Sequence, residues 1–314
     1  MATPEFACCA LEALASSRHT ILAAVTAPDK PAGRGHKLTV CQAKLTAQAL
    51  DIPIYQPIKL HDKKFLAAME AFRPDLFVVI AFRILPPVLF DLPKKGSINI
   101  HGSLLPRYRG AAPIQHALLN GDTETGLTSF FLTKKVDQGN VIHRVKTAIG
   151  PDENYTSLYS RMAQMSGKFL LETLDKIEDP EFEPQSQDDS QASPAPKIYP
   201  EQGEIDWTTL RDKIHNLIRA FSLRPGAFSF LNDKIVKILG STREGTAGVP
   251  VAEPGRLFIY QKRLFAACGD GPLRLTCLQP EGRTQMDDRS FINGYMAGTT
   301  AQFINQRKGV KKEH

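Results

Sequence analysis

The stretch LFVVIAFRILPPVLFDLPKKGSINIH, residues 76–101, decides the fold class of this chain. It begins with LFVVIAF and ends with SINIH, two apolar runs that are rich in β-branched residues and are typical of buried strands. Strands this apolar belong to a parallel sheet that helices cover on both faces. A third such run, Ile21–Thr26, precedes them, and Phe65 and Met69 between the runs keep helical spacing. The N-terminal half is therefore predicted to be an α/β domain with a mainly parallel sheet.

The rest of the chain predicts a second, smaller domain. Two more strands and an amphipathic helix around Leu158–Leu174 complete the first domain, and a polar, proline-rich stretch at Glu178–Pro200 is typical of a linker. A short helix at Leu210–Phe221 then precedes several closely spaced strand-like runs, which favour a small β-barrel. We expect a catalytic domain over 1–177, a linker over 178–204 and a C-terminal domain over 205–314.

Charge is unevenly distributed along the 314 residues. Residues 1–196 carry 21 basic and 21 acidic side chains, whereas residues 197–314 carry 18 basic and 12 acidic ones, so the net charge of +6 comes from the last third. A basic domain beside a neutral one indicates a polyanionic partner, although an ordinary soluble surface explains it nearly as well.

Composition excludes several classes of protein. The five cysteines show no spacing that a zinc site needs, and reduced thiols of an intracellular protein account for them. No apolar run approaches the roughly 18 residues that span a bilayer, and the sequence opens without the pattern of a secretion signal. We expect a cytoplasmic protein that binds no metal and no membrane.

The segment INIHGSLLPRYRGAAPIQ, residues 98–115, carries the candidate chemistry. Asn99 and His101 are two apart on a strand, so their side chains share one face near its carboxyl end, where open α/β sheets bind ligands. An amide that stabilises an oxyanion and an imidazole that moves a proton suit attack on a carbonyl. From local sequence alone, a core histidine beside a turn-capping asparagine explains the pair equally well.

The pattern NxHxSLLPxYRGxxP in this segment resembles the signature of the 10-formyltetrahydrofolate-dependent formyltransferases. The resemblance implies a Rossmann-like catalytic domain and a catalytic trio of Asn99, His101 and Asp137, the last within the D-x-G motif of residues 137–139. Many relatives have Thr where this chain has Gln138 and Asp where it has Asn140; the acidic residue itself is retained.

The same resemblance implies a formyl-folate co-substrate and a reaction without a metal. It places the folate against the loop that follows the strand LFVVIAF and against the turn that follows SINIH; the implied contacts are Ile84, Leu85, Pro86, Ser103, Leu104, Leu105 and Pro106. Backbone and apolar contacts suit a flat heterocycle. The chain has Phe82-Arg83 where many relatives have Tyr-Gly, so the implied pocket differs at that point.

A loop with the sequence APDKPAGRGHKL, residues 27–38, bears on the formyl acceptor. It resembles an insertion by which tRNA-acting members of the family reach the tRNA acceptor end, which implies that Arg34 and Lys37 bind tRNA. The segment IDWTTLRDKIHNLIRAFSLRPGAF, residues 205–228, is similar to the start of the C-terminal OB-like barrel of these members. The resemblance therefore implies a monomer that formylates methionyl-initiator tRNA, giving the N-formylmethionyl-tRNA that initiates translation.

Other functions stay open at this point. An amino-sugar-nucleotide N-formyltransferase shares the HGSLLP segment, and an inactive RNA-binding relative would share the C-terminal domain. A nicotinamide dehydrogenase is disfavoured, because no GxGxxG follows a predicted strand.

The start of the sequence departs from the resemblance. Relatives begin with a buried strand that precedes MGTPEFA, whereas this chain opens directly with Met1-Ala2-Thr3-Pro4. We expect the first strand of the sheet to be missing here, and the natural start to lie upstream.

Overall fold

The computed structural model divides the chain into two compact units. The first comprises residues 1–113, 124–148 and 159–196, and the second 114–123, 149–158 and 197–314. The structure describes residues 1, 5–32, 37–246, 248–250, 252–296 and 302–304, with the backbone alone for residues 5, 30–32 and 37–39.

The N-terminal half alternates helices with short strands, as the apolar runs predict. Its helices are α1 (Cys8–Ala15), α2 (Gln42–Ala49), α3 (Lys63–Ala71), α4 (Pro87–Phe90), α5 (Pro113–Leu119) and α6 (Tyr155–Glu178). Its strands are β1 (Ala24–Val25), β2 (Lys30–Ala32), β3 (Lys37–Thr39), β4 (Ile54–Tyr55), β5 (Phe77–Ile80), β6 (Ser97–His101), β7 (Glu124–Phe131) and β8 (Val141–Ala148).

The sheet that carries the site has the order β5-β6-β7-β8. β5 and β6 are parallel, with Val78 opposite Ile98 and Ile80 opposite Ile100, so the two predicted buried strands end at the same edge. β7 runs antiparallel to β6 and β8 antiparallel to β7. The short connection between β7 and β8 allows only a hairpin, since a parallel pair needs a crossover of a dozen or more residues.

A gap separates β5 from β1 in this unit. β1 pairs in parallel with β4 as a two-stranded sheet, and within the described residues no strand joins β1 to β5. Met1 reaches β5: its amino group donates to Val78 O at 2.6 Å, and Ile80 N donates to Met1 O at 3.0 Å. A cavity of about 470 Å³ is lined from both strands.

The apolar face of β5 packs on helices α3 and α4. Val79 is 4% exposed and lies in one cluster with Phe65 and Met69 of α3 and Leu89 of α4. α3 begins where the sequence allows a helix to start, because the Asp62 carboxylate accepts from the backbone N–H groups of Lys64 and Phe65. This packing fixes β5 and therefore the sheet edge at which β5 and β6 end.

The second unit is built on an antiparallel sheet. It contains α7 (Arg211–Phe221), β9 (Ala227–Leu231), β10 (Lys234–Thr242), β11 (Leu257–Tyr260), β12 (Arg263–Cys268), β13 (Gly271–Pro280), β14 (Met286–Asp287) and α8 (Asp288–Tyr295). The strand order is β11-β12-β13-β10-β9, with β14 on β13. Residues 302–304 form bridges to Phe230 and to Arg256, at opposite edges of this sheet, which brings it towards barrel closure.

The fold class predicted from the sequence is thus confirmed: an α/β unit with a parallel strand pair, followed by an antiparallel C-terminal sheet. The strand-like runs and the helix predicted after residue 204 all occur, within a few residues of their expected bounds. In the described part of the chain no helix is both long and apolar enough to cross a membrane.

Candidate active site

His101 is the last residue of β6 and is only 6% exposed. Its ring Nε2 lies 2.8 Å from the backbone oxygen of Tyr108, in the loop that follows the strand. Since a carbonyl oxygen can only accept, this contact assigns the hydrogen to Nε2. The contact therefore fixes the ring plane and leaves Nδ1 as the nitrogen available for chemistry.

Asp137 faces that second nitrogen. It lies in the loop between β7 and β8, and its carboxylate Oδ2 is 3.9 Å from His101 Nδ1. The same oxygen accepts a hydrogen bond from the backbone N–H of Gly110 at 2.8 Å. Because both side chains are largely buried, at 7% and 11% exposure, their electrostatic interaction is only weakly screened.

Asn99 contributes the third group. It lies two residues before His101 on β6, pairs across the ladder with Phe130, and is half-buried. No residue in the described part of the chain forms a hydrogen bond to the Asn99 side chain, so its amide is available to a ligand. The structure thus brings His101 and Asp137 together and places Asn99 on the same strand and, by strand alternation, on the same face.

The turn after β6, Ser103–Pro106, is held by contacts within the protein. Ser103 Oγ donates to Arg107 O at 2.6 Å, and the Thr128 hydroxyl both donates to Ser103 O at 2.6 Å and accepts from Leu105 N at 3.1 Å. Ser103 and Leu105 are buried, whereas Leu104 and Pro106 are half-buried. In this turn, Leu104 and Pro106 therefore offer the exposed apolar surface.

The loop after β5 lies at the same sheet edge, because β5 and β6 are parallel and end in register. Ile84 is 80% exposed, Leu85 is buried and Pro86 is half-buried. The Arg83 guanidinium donates to Pro57 O at 2.7 Å and Ile58 O at 2.8 Å, which anchors the loop. An exposed isoleucine on an anchored loop at this sheet edge suits contact with a flat apolar ligand.

The two residues predicted to bind tRNA are placed differently. Arg34 lies outside the described residues, and Lys37 begins β3, where the backbone alone is described. β2 and β3 pair as an antiparallel hairpin. Asp29, just before β2, accepts from Gln56 at 2.9 Å and from Lys44 at 2.5 Å, and these hydrogen bonds, with the Gln56 one the larger cause, lower the pKa of Asp29. The base of the hairpin is therefore fixed.

Sequence reasoning missed one part of the site. Residues 185–195, expected to belong to a linker, pair with the loops of the site: Gln185 exchanges two backbone hydrogen bonds with Val141, and Arg109 and Ala195 are joined by one of 2.7 Å. Their polar composition, with a single proline at Pro194, carries no signal for such pairing.

Among the described residues there is no group of three or more His, Cys, Asp or Glu side chains that could hold a metal ion.

Comparison with known proteins identifies the family of the chain. The family model described as Formyl transferase matches residues 2–174, and the one described as Formyl transferase, C-terminal domain, matches residues 197–296. The methionyl-tRNA formyltransferase of Geobacter sulfurreducens is 40% identical over 297 residues, covering 94% of this chain and 92% of the relative. That of Porphyromonas gingivalis is 40% identical over 311 residues, covering 94% of each.

A solved structure shares the fold at low identity. WlaRD, a sugar 3N-formyl transferase crystallised in the presence of dTDP and 5-N-formyl-THF, superposes with a TM-score of 0.66 at 18% identity, covering 90% of this chain and 97% of that one. Matches to both domains, together with relatives of about 40% identity over nearly the whole chain, show that the chain belongs to the formyl transferase family.

Proposed function

We propose that the chain transfers the formyl group of 10-formyltetrahydrofolate to the α-amino group of methionyl-initiator tRNA. The observation that carries the proposal is the buried pair of His101 and Asp137, 3.9 Å apart, at the end of the strand that also bears the available amide of Asn99. Identity of about 40% to methionyl-tRNA formyltransferases over 94% of the chain supports this acceptor.

In the proposed reaction the amine nitrogen of the acceptor attacks the formyl carbon on N10 of the folate. The carbonyl oxygen becomes an oxyanion, which the Asn99 amide and protonated His101 Nδ1 stabilise by hydrogen bonds. The Asp137 carboxylate stabilises the imidazolium through charge and keeps the ring turned towards the substrate. When the bond between the carbon and N10 breaks, N10 takes up a proton and the new amide nitrogen loses one, so no covalent enzyme intermediate forms.

The folate is proposed to bind across the sheet edge formed by β5 and β6. Exposed Ile84, with the half-buried Leu104 and Pro106, would contact the pterin, while Leu85 and Ser103 support the loops from below. WlaRD, which shares the fold, was crystallised in the presence of 5-N-formyl-THF.

The tRNA is proposed to bind through the β2–β3 hairpin and the basic C-terminal part of the chain. Lys37 begins β3 of that hairpin and Arg34 lies between β2 and β3 in the sequence; the base of the hairpin is anchored at Asp29. Residues 197–314 carry six more basic than acidic side chains, which suits contact with phosphates. Phosphate contacts supply affinity without reading sequence, so we expect binding through this region to weaken steeply as salt rises.

A competition between acceptors tests the proposal. Purified chain is incubated with labelled 10-formyltetrahydrofolate and either methionyl-initiator tRNA or a dTDP-linked amino sugar. We expect the label in the tRNA alone, and we expect Arg34→Ala to raise the KM for tRNA without changing folate binding. Label in the sugar alone would replace the proposed acceptor by a sugar nucleotide, and equal loss of tRNA and folate binding in Arg34→Ala would contradict the hairpin assignment.

A further inference from the structure

Residues 185–195 form a strap along the two loops that complete the candidate active site. At one end Gln185 pairs with Val141 at the start of β8, with backbone hydrogen bonds of 2.7 and 2.8 Å. At the other end Arg109 N donates to Ser193 O at 2.9 Å, and Ala195 N donates to Arg109 O at 2.7 Å. The strap therefore bonds to the chain on both sides of the reactive pair.

The middle of the strap holds the loop of Asp137 through one side chain. Gln187 Nε2 donates to the backbone oxygens of Asp137 at 3.0 Å and Gly139 at 2.8 Å. Its other amide atom, Oε1, accepts from Arg109 Nε at 3.1 Å and Nη2 at 2.8 Å. One neutral amide thus joins the Asp137 loop to the loop after β6, and both of its polar atoms are used.

The Asp137 backbone needs such support. Its φ of +55° lies in the left-handed region, which costs a non-glycine residue energy unless its surroundings hold it there. The backbone of Asp137 also sets the position of its carboxylate, which accepts from Gly110 N at 2.8 Å and faces His101. Without the two Gln187 donors the loop loses the hydrogen bonds that oppose this strain.

Gly110 shows how closely the strap fits. A Cβ atom on Gly110 would lie 2.5 Å from the backbone oxygen of Ala195, and the glycine has a φ of +129°. Only glycine permits this approach. The backbone of Gly110, whose N–H donates to Asp137, can therefore lie in close contact with the strap.

We propose that Gln187 is a positioning residue for formyl transfer: it holds the Asp137 carboxylate opposite His101 Nδ1 by binding both carbonyls of the Asp137 loop and the Arg109 guanidinium. This assignment rests on the proposed function. Gln187 does not touch the reacting atoms in this scheme. Its effect is on the geometry of a pair in which a misplacement of about 1 Å costs on the order of 10²-fold in rate.

Two variants isolate the donors of Gln187. Gln187→Ala removes the whole side chain, whereas Gln187→Glu keeps the acceptor for Arg109 and loses both donors to the carbonyls. We expect kcat to fall about 10- to 100-fold in both, with the Kd for folate within about twofold of wild type. The matched control is Gln185→Ala, because Gln185 pairs with Val141 through its backbone alone.

Hydrogen exchange at the Gly110 amide gives a second readout that needs no substrate. This N–H donates to Asp137 Oδ2, so it should exchange faster in both Gln187 variants and at the wild-type rate in Gln185→Ala. A structural defect of the whole domain would instead lower the melting temperature and speed exchange throughout the β6–β7 ladder.

The outcomes separate the positioning role from the proposed function. If the wild type is active and both Gln187 variants keep its kcat, the positioning role of Gln187 is overturned. The role is also overturned if the Gly110 amide exchanges at the wild-type rate in both variants. Inactive wild type overturns the proposed function; faster exchange confined to Gly110 and the Asp137 loop would then still support the positioning of Asp137. If kcat falls in Gln187→Ala but not in Gln187→Glu, the hydrogen bonds that Gln187 donates to the two carbonyls are not the cause, and the proposal is contradicted.

Discussion

Replacing Gly139 by alanine should destabilise the first unit and displace Asp137. A Cβ at this position would lie 1.6 Å from the backbone oxygen of Phe131, and an ordinary C···O contact is roughly 3.3 Å, so the chain must open by about 1.7 Å. That movement breaks the bond between Phe131 N and Asn140 O, now 3.0 Å, and the bond from Gln187 to Gly139 O, now 2.8 Å. At about 1–3 kcal/mol for each of these two lost hydrogen bonds, the free energy of unfolding should fall by about 2–6 kcal/mol.

Two measurements check this expectation. Urea unfolding of the first unit is followed by far-UV circular dichroism, because the single tryptophan, Trp207, lies in the second unit and does not report on it. Formyl transfer should slow at least about tenfold, since the altered turn carries Asp137. The control is Gly294→Ala in α8, where no atom of the described residues outside the helix's own backbone lies within 4 Å of the new Cβ; it should be neutral or stabilise by up to about 1 kcal/mol. Wild-type stability and activity in Gly139→Ala would refute the argument from close approach.

Three further expectations concern the second unit. Trp207→Phe removes the indole donor to Ser229 Oγ, now 3.0 Å away and buried, and should lower the free energy of unfolding by about 1–3 kcal/mol in urea titrations; an unchanged midpoint would contradict it. His215 is fully buried and burial lowers its pKa, so the folded state binds its proton less readily than the unfolded state. Stability should therefore fall as pH drops below about 6.5, and this dependence should weaken in His215→Gln; equal melting curves at pH 7.5 and 5.5 would count against it. Burial also raises the pKa of the Cys268 thiol to about 12, so iodoacetamide at about pH 8 should label Cys268 only after unfolding, and rapid labelling of the native chain would contradict that.

The sequence predicts the two strands of the site well, because both are buried and their apolar pattern is strong. The run SINIH forms β6 over the residues expected, and strand alternation assigns Asn99 and His101 to one face. The run Ile21–Thr26 forms a strand only at Ala24–Val25, where β4 lies opposite, since a strand extends only as far as its partner supplies hydrogen bonds.

Contacts between distant residues could not be predicted from patterns of this kind. Asp137 lies 36 residues after His101 in the sequence, and this spacing alone does not indicate that their side chains approach to 3.9 Å. Only the family resemblance implied that the two residues act together. The strap of residues 185–195 bonds through backbone groups and the amide of Gln187, and such bonds leave no hydrophobic period in the sequence. The longer stretch around it, residues 178–200, is polar and has five prolines, and it therefore suggested a linker.

The most direct test of the account is single-turnover transfer of labelled formyl from 10-formyltetrahydrofolate to methionyl-initiator tRNA by wild type, His101→Ala and Asp137→Asn. We expect transfer by wild type, and loss of about 10²- to 10⁴-fold in each variant with folate binding retained, because the variants remove charge stabilisation and proton transfer in the transition state. Transfer at the wild-type rate by His101→Ala would contradict the assignment of the reaction to this pair.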